Sequence, residues 1–484
     1  MDKFSDFLLP KIATINSFLT DYLLIFLLVG VGLFYTIRTR FVQVRCFGEG
    51  MKHVFGGIFK KKEGSGGLSS FQALATAVAA QVGTGNIVGS CGAILIGGPG
   101  AIFWMWVIAF FGMATIYAEA TLAQDTKVVA ADGSVLGGPV YYIKKAFTGK
   151  FGKFLAVFFA VATILALGFM GSMVQSNAIA NAIHTAVPQV PTFAVGIVLA
   201  VLCAIIFIGG IKRIASVAEK IVPLMAVMYI VLGLIVLGFN VTKIPETFGM
   251  IFKYAFMPNA IVGGTIGYAL KSAISQGAKR GLFSNEAGMG STPHAHAQAE
   301  VKTPHDQGIA AMIGVFIDTF VVLTMTALVV ICTLYTEGGL FSRFLHVTPE
   351  NAALLGIDKN NMMQVAMGQV FGTTAGNILV AICLTFFAFT TIIGWNFFGK
   401  QNMEYLFGKK STVVYSVIAI AFIFMGTMFK SDLVWELTDF FNYLMVLPNV
   451  IALFALSAIV VAATKAAKKK KAAKTDTTDS ADQQ

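Results

Sequence analysis

Apolar runs of about twenty residues recur from one end of the chain to the other, and they constrain its fold more than any other feature. A run of that length crosses the roughly 30 Å hydrocarbon core of a bilayer as one helix. Inside lipid the backbone has no water to bond with, so each run is expected to be helical. Eleven spans are read, at 17–37, 68–94, 100–123, 153–185, 192–211, 217–239, 262–283, 308–334, 368–398, 411–429 and 437–464. Of 484 residues, 56% are hydrophobic and 12% charged, too little charge to cover a soluble protein of this size. The expectation is an all-α, multi-pass protein of the plasma membrane, bacterial or archaeal. The first span runs straight into "RTRFVQVR" with no small-residue cleavage site, so it reads as a retained helix rather than a signal peptide.

The net charge of +11 would suit a nucleic-acid binder, but its distribution points to the bilayer instead. If the spans alternate, 27 of the 35 Lys and Arg fall on one side, in 38–67, 124–153, 212–220, 279–307, 399–410 and 465–484. The positive-inside rule then puts the N-terminus outside and the C-terminus in the cytoplasm. No nucleic-acid partner is expected, and nothing specifies an oligomeric state. The tail "KAAKKKKAAKTDTTDSADQQ" is read as a solvated topology signal, with lipid binding as the alternative. Five cysteines show no paired spacing, so neither a disulfide framework nor a zinc site is expected.

After the first span and the basic linker (1–67), ten spans divide into 68–239 and 262–464, joined by an outer connector at 240–261 and followed by the tail at 465–484. Each half begins with a glycine-interrupted helix and has a long third helix. Five is odd, so the second half must enter from the opposite side, the inverted-repeat plan of many secondary transporters. In the first half the interruption is "AAQVGTGNIVGS", residues 79–90. Glycine costs a helix about 1 kcal/mol relative to alanine. Either Gly83 and Gly85 permit close packing, or they break the helix so that its freed N–H groups meet a carboxylate and its freed carbonyls meet a cation. A matched interruption in "GGTIGYALKSAISQGAKRGLFSNEAGMGSTPHAHA", residues 263–297, favours the second reading, with a break expected near 271–276 and Lys279 and Arg280 at the cytoplasmic edge.

"VGTGNIVG" together with "RGLFSNEAGMGSTPHA" resembles the alanine/glycine:cation symporter family, sodium-coupled amino-acid carriers with a LeuT-like fold. The resemblance covers nearly the whole chain. It implies a ten-helix core of two inverted five-helix repeats behind one extra N-terminal helix, which fits the span count. It also implies sodium-driven (or proton-driven) uptake of alanine, glycine or another small neutral amino acid, with sodium as coupling ion and no organic cofactor. Carried over by position, the substrate carboxylate meets Gly83, Thr84 and Gly85, flanked by Gln81 and Asn86. A cation site joins the carbonyls of Ala79 and Val82 to the hydroxyls of Thr390 and Thr391, oxygen ligands of the kind a hard ion prefers. Without that context a Thr-Thr pair is a helix-packing feature. Trp395 either walls the substrate pocket or anchors the interface. Phe169 and Ser172 fall where the family faces its substrate, although a larger residue is common at the position of Ser172. Lys271 and Ile274, beside the expected second break, complete the substrate set.

Of the ionisable residues inside spans, Glu119, Lys271 and Asp318 are singled out. An ion at that depth costs at least about 2.5–3.5 kcal/mol, so each is a candidate for function. Lys271 and Asp318 either pair structurally or act in coupling, and Glu119, nearer the inner edge, reads as a gating or salt-bridge residue. His294, His296 and His305 lie in an expected cytoplasmic loop without metal-ligand spacing. Two other classes were weighed. An intramembrane metalloprotease needs H-E-x-x-H, which is absent from the sequence. Serine chemistry would have only Lys271 with Ser272 or Ser275, and no channel-type filter motif is evident.

Overall fold

The computed structural model describes residues 2–57, 68–208, 210–256, 266–344 and 347–481. Among the described residues, seven helices are long and apolar enough to cross a membrane. They are α1 (Asp6–Arg38), α5 (Ala101–Thr126), α6 (Gly149–Ala186), α8 (Gly210–Phe239), α10 (Pro304–Tyr335), α11 (Thr373–Phe407) and α13 (Ser431–Ala455). An eighth is the broken pair α3 (Ser70–Gln81) and α4 (Gly85–Gly97), bent by 47°. Shorter helices complete the bundle: α2 (Phe47–Gly57), α7 (Thr192–Phe207), α9 (Ile266–Asn285), α12 (Ser411–Gly426) and α14 (Ser457–Ala481). Among the described residues the only sheet is a two-stranded hairpin, Val128–Val129 with Val135–Leu136.

Local chemistry sets the ends. Ser69 caps α3 reciprocally with Gln72, and Thr303 caps α10 with Asp306, with Pro304 in the first turn. Gly372 and Gly408, both with positive φ, bound α11. The expected span at 368–398 is thus cut at Gly372, with a separate helix, Met362–Phe371, before it. The last expected span, 437–464, divides at Leu456 between α13 and α14. The start of the span expected at 262–283, with Gly263 and Gly264, lies outside the described residues.

The polarity is inverted relative to a water-soluble protein. Phe193, Ile197 and Val201 on α7 and Val413 and Val417 on α12 are exposed, whereas Asn86, Glu119, Gln175, Glu286 and Asp318 are fully buried. That is the distribution a lipid solvent selects, with polar groups facing the bundle interior. Close glycine contacts draw the helices around this interior. A Cβ on Gly394 of α11 would lie 3.0 Å from Ala80 Cβ on α3, and one on Gly308 of α10 would lie 2.8 Å from the Tyr117 ring on α5.

Several helices carry π-turns, including Ile164–Gly171 in α6 and Phe316–Leu323 in α10. Such turns shift the register of one helix face against the other and often accompany functional sites.

Candidate functional site: two helix breaks around a buried polar centre

The first break falls between Val82 and Gly85. Val82 leaves the helix with ψ 90°, and the chain re-enters through a π-turn, Gly85–Gly89. Glycine is required there by proximity. A Cβ on Gly83 would lie 2.4 Å from Thr391 Oγ1 and 3.1 Å from Gln175 Oε1, and one on Gly85 would lie 3.0 Å from Ser284 Cα. Side-chain oxygens hold the freed N–H groups: Gly83 donates to Asn86 Oδ1 at 2.9 Å and Thr84 to Gln175 Oε1 at 3.1 Å. Spare polar capacity converges on the same spot, because Gln81 Oε1, Thr84 Oγ1 and Gln175 Nε2 are buried without a hydrogen-bond partner. The N-terminal end of α4 therefore offers backbone donors and its positive dipole end, the arrangement that suits an anion.

The second break lies later than the spacing of polar residues predicts. Helix α9 runs without interruption through 271–276, and the chain departs at Glu286 (φ 58°), Gly288 (φ 89°) and Gly290 (φ 79°) before the short turn Pro293–His296. Polarity at 271–276 has another cause. Lys271 Nζ pairs with Asp21 Oδ2 at 2.7 Å, and Ser275 Oγ donates to Asp21 Oδ1 at 2.8 Å, so this stretch is the docking face for α1. Gly277 permits close approach to Trp104.

Glu119 of α5 holds the true break. Its carboxylate accepts from Gly288 N–H at 3.1 Å, Gly290 N–H at 3.0 Å and Asn449 Nδ2 at 2.6 Å. Glu286, not singled out in the sequence, accepts from Trp395 Nε1 at 2.6 Å and from Ser291 Oγ. Its position just ahead of Gly288 and Gly290 in "SNEAGMGS" was the available signal.

Asp318 ties the two breaks together. It sits in the π-turn of α10 and accepts from Asn86 Nδ2 at 2.6 Å, from Ser284 Oγ at 2.9 Å and from Thr319 Oγ1 at 2.8 Å. Gln81 Nε2 adds a bond across to the Asn285 carbonyl at 2.7 Å.

The expected cation ligands are brought close, though not equally. Thr391 Oγ1 lies 3.0 Å from Ala79 O and 3.4 Å from Val82 O. Adjacent residues on a helix point about 100° apart, and the Thr390 hydroxyl turns back to the Phe386 and Phe387 carbonyls at 3.0 and 2.9 Å. Thr390 also lines, with Thr76, Ala79 and Gly394, a shallow crevice too narrow for a water molecule. Uncharged hydroxyl and carbonyl oxygens are a donor set that fits a monovalent hard ion.

The remaining expected site residues divide. Trp395 is buried against the edge of Phe283 at 5.9 Å, so it is an interior wall and not an interfacial anchor. Phe169 is stacked on Phe422 at 4.8 Å and Tyr415 at 5.6 Å, both on α12. Ser172, buried, bonds back to the Leu167 carbonyl. The Lys271 side chain is 53% exposed and paired with Asp21, away from Asp318, and Ile274 is half-buried on the same helix.

Lys279 and Arg280, expected at a cytoplasmic edge, are largely buried and paired. Both pair with Asp439 Oδ2, at 3.0 and 3.2 Å, and Lys279 also reaches Glu436 at 2.9 Å. The Arg280 guanidinium lies over the Trp435 ring at 4.6 Å. Nor is 279–299 a solvent loop, since nearly all of it is buried. His294 bonds to Ser291 O and Asn402, and His296 to Gln307, so these two do not converge with His305.

The Lys271–Asp21 pair supplies a test. An ion pair this exposed contributes at most about 1 kcal/mol. Lys271→Met is therefore expected to fold and to leave substrate preference and ion dependence unchanged in proteoliposome uptake. Altered selectivity would put Lys271 back at the substrate.

Helix breaks that expose backbone groups to a buried polar centre are how many secondary carriers build their binding sites, and the class this fold and site define is a multi-pass membrane transporter. Solved structures share the fold: the crystal structure of MhsT in complex with L-phenylalanine (TM-score 0.58, 16% identity, 83% of this chain and 93% of that one). A Na+-coupled sialic acid symporter in a substrate-bound outward-open state is another (TM-score 0.51, 11% identity, 84% and 82%). The chain belongs to the sodium:alanine symporter family, whose model matches residues 5–481. It is 41% identical to the sodium/alanine symporter AgcS of Methanococcus maripaludis, over 93% of this chain and 94% of that one. It is 42% identical to the putative sodium/proton-dependent alanine carrier protein YrbD of Bacillus subtilis, over 92% and 90%. The protein is thus a multi-pass plasma-membrane transporter and not an enzyme.

Proposed function

We propose that the protein carries a small neutral amino acid, alanine, glycine or a close analogue, into the cell with sodium, by alternating access between two inverted five-helix halves at 68–239 and 262–464. In this reading eleven helices cross the bilayer, with the N-terminus outside and the C-terminus inside. The connector 240–261 is then outside, and the first helix with its linker (1–67) and the tail (465–484) are accessory. The substrate carboxylate takes the N–H groups of Gly83 and Thr84, which Asn86 and Gln175 now hold, together with that of Gly85. Trp395 and Phe283 wall its side chain. Sodium sits between Ala79 O, Val82 O and Thr391 Oγ1, with Thr390 contributing after a rotamer change.

One observation carries the reading: a hydroxyl of α11 and two carbonyls of α3 meet where α3 breaks, at 3.0 and 3.4 Å. The deciding experiment is uptake by purified protein in liposomes, with a panel of amino acids and with sodium present or absent. Saturable uptake of alanine or glycine that requires a sodium gradient is expected. Thr391→Ala should raise the half-saturating sodium concentration about tenfold, equivalent to about 1.4 kcal/mol. Unchanged sodium dependence in a Thr390→Ala/Thr391→Ala double variant would place the ion elsewhere.

A second reading, proton coupling, is favoured by the Asp318 carboxylate, fully buried between the two breaks. Uptake driven by a pH step in sodium-free liposomes, and lost in Asp318→Asn, would select it.

A further inference from the structure

Far from the two breaks, three side chains from separate segments converge on the face bearing the basic linker. Cys46 precedes α2, Glu49 lies in the first turn of α2, and His305 is the second residue of α10. Their ligand atoms all lie within 4.8 Å of one another, with Cys46 and His305 buried and Glu49 half-buried. Among the described residues no other group of His, Cys, Asp and Glu does this.

The surrounding hydrogen bonds admit the histidine in a ligand-ready form. When Thr464 Oγ1 gives its proton to the Val460 carbonyl at 2.9 Å, the Tyr117 hydroxyl, 3.0 Å away, donates to Thr464. The Tyr117 oxygen is then left to accept, and His305 Nδ1, at 2.7 Å, must be its donor. With its proton on Nδ1, the ring presents Nε2 as a lone pair. Metal-bound histidines are held in this way, with the distal N–H donated to an oxygen of an outer layer.

We propose that Cys46, Glu49 and His305 form a zinc-class metal site. Thiolate, imidazole and carboxylate suit a borderline-soft divalent ion, whereas magnesium and calcium favour all-oxygen shells. Two anionic ligands balance the two charges of the ion. Binding releases the Cys46 thiol proton to solvent. Zinc–ligand distances of about 2.0–2.3 Å require the three atoms to draw together by about 1 Å, a side-chain adjustment, and leave a fourth position for water. The Arg45 guanidinium, the nearest opposing charge in sequence, is anchored on the Thr39 carbonyl at 3.1 Å. Spacing of the cysteines along the chain gives no hint of this site, because its histidine lies 256 residues beyond Glu49 along the sequence. A bound ion would pin α2 to the start of α10, the helix that carries Asp318. The two helices already touch where Phe47 meets the edge of Phe316, with ring centroids 4.8 Å apart.

The test is a titration of the full-length purified protein with Co2+ as spectroscopic probe, followed by Zn2+. Expected is a thiolate-to-cobalt charge-transfer band that saturates at one equivalent and is abolished by Zn2+. Cys46→Ser, nearly isosteric, should fold and lose the band. Tyr117→Phe should keep the band while weakening affinity about 10–100-fold, as loss of an outer-layer partner does. A well-folded wild-type protein without the band overturns the site, and so does a band that survives in Cys46→Ser or an affinity unchanged in His305→Ala.

Discussion

Gly83→Leu should abolish uptake while the protein still inserts and elutes as a folded species. The first atom of any side chain at this position already falls 2.4 Å from Thr391 Oγ1. The new residue would push Thr391 away from Ala79 and Val82, and its remaining atoms would fill the space beside the freed N–H groups of Thr84 and Gly85. Both proposed sites are hit at once, by a substitution that itself favours helix over a break. A fall of at least about 100-fold in uptake is expected, equivalent to about 2.7 kcal/mol. Gly83→Ala should lie between, since a single methyl group displaces Thr391 without occupying the pocket. Wild-type uptake and affinity in the leucine variant would remove the first break from the transport machinery.

Glu119→Leu should have the second large effect, this time on stability. The substitution strips the acceptor from Gly288 N–H, Gly290 N–H and Asn449 Nδ2 in a region sealed from water. Each buried donor left unsatisfied costs about 1–3 kcal/mol, so the sum approaches the whole stability of a typical domain. The Tyr142 hydroxyl bonds to the same Asn449, so the damage extends into the helix Pro139–Ala146. Thermal unfolding followed by size-exclusion chromatography should show a large drop or no recoverable protein. Glu119→Gln retains one acceptor oxygen but turns an amide N–H₂ toward donors, and should be intermediate. A leucine variant as stable as wild type would show that the 286–292 turn needs no anchor.

What the sequence reveals here tracks how local each feature is. Helical spans follow from runs of apolar residues, and the break at Gly83–Gly85 follows from glycines flanking polar residues within a few positions. The second break was misplaced because the polar character of Lys271 and Ser275 answers to Asp21, a residue 250 positions from Lys271, and that of Ser272 to the Ile96 carbonyl. Lys279 and Arg280 read as an interfacial pair because their counter-charges, Asp439 and Glu436, lie on a helix far along the chain. Phe169 comes to the site only through the family resemblance, and its ring lies in the π-turn Ile164–Gly171, stacked on Phe422 and Tyr415 of α12. Glu286 was missed for another reason. Its role comes from a left-handed backbone and a tryptophan on α11, and neither is written in its own neighbourhood.

The additional first helix has a mechanical consequence. Asp21 grips α9 at Lys271 and Ser275, Asn16 grips α13 at Glu436, and Glu436 in turn holds Lys279 of α9. Three helices fastened to one another in a closed triangle lose their independent degrees of freedom and tilt as one plate. Any swing of α9 therefore carries α1 and α13 with it. Under the proposed alternating access, bending of α9 would fall at the glycine-rich turn 286–292, where Glu119 holds the Gly288 and Gly290 N–H groups.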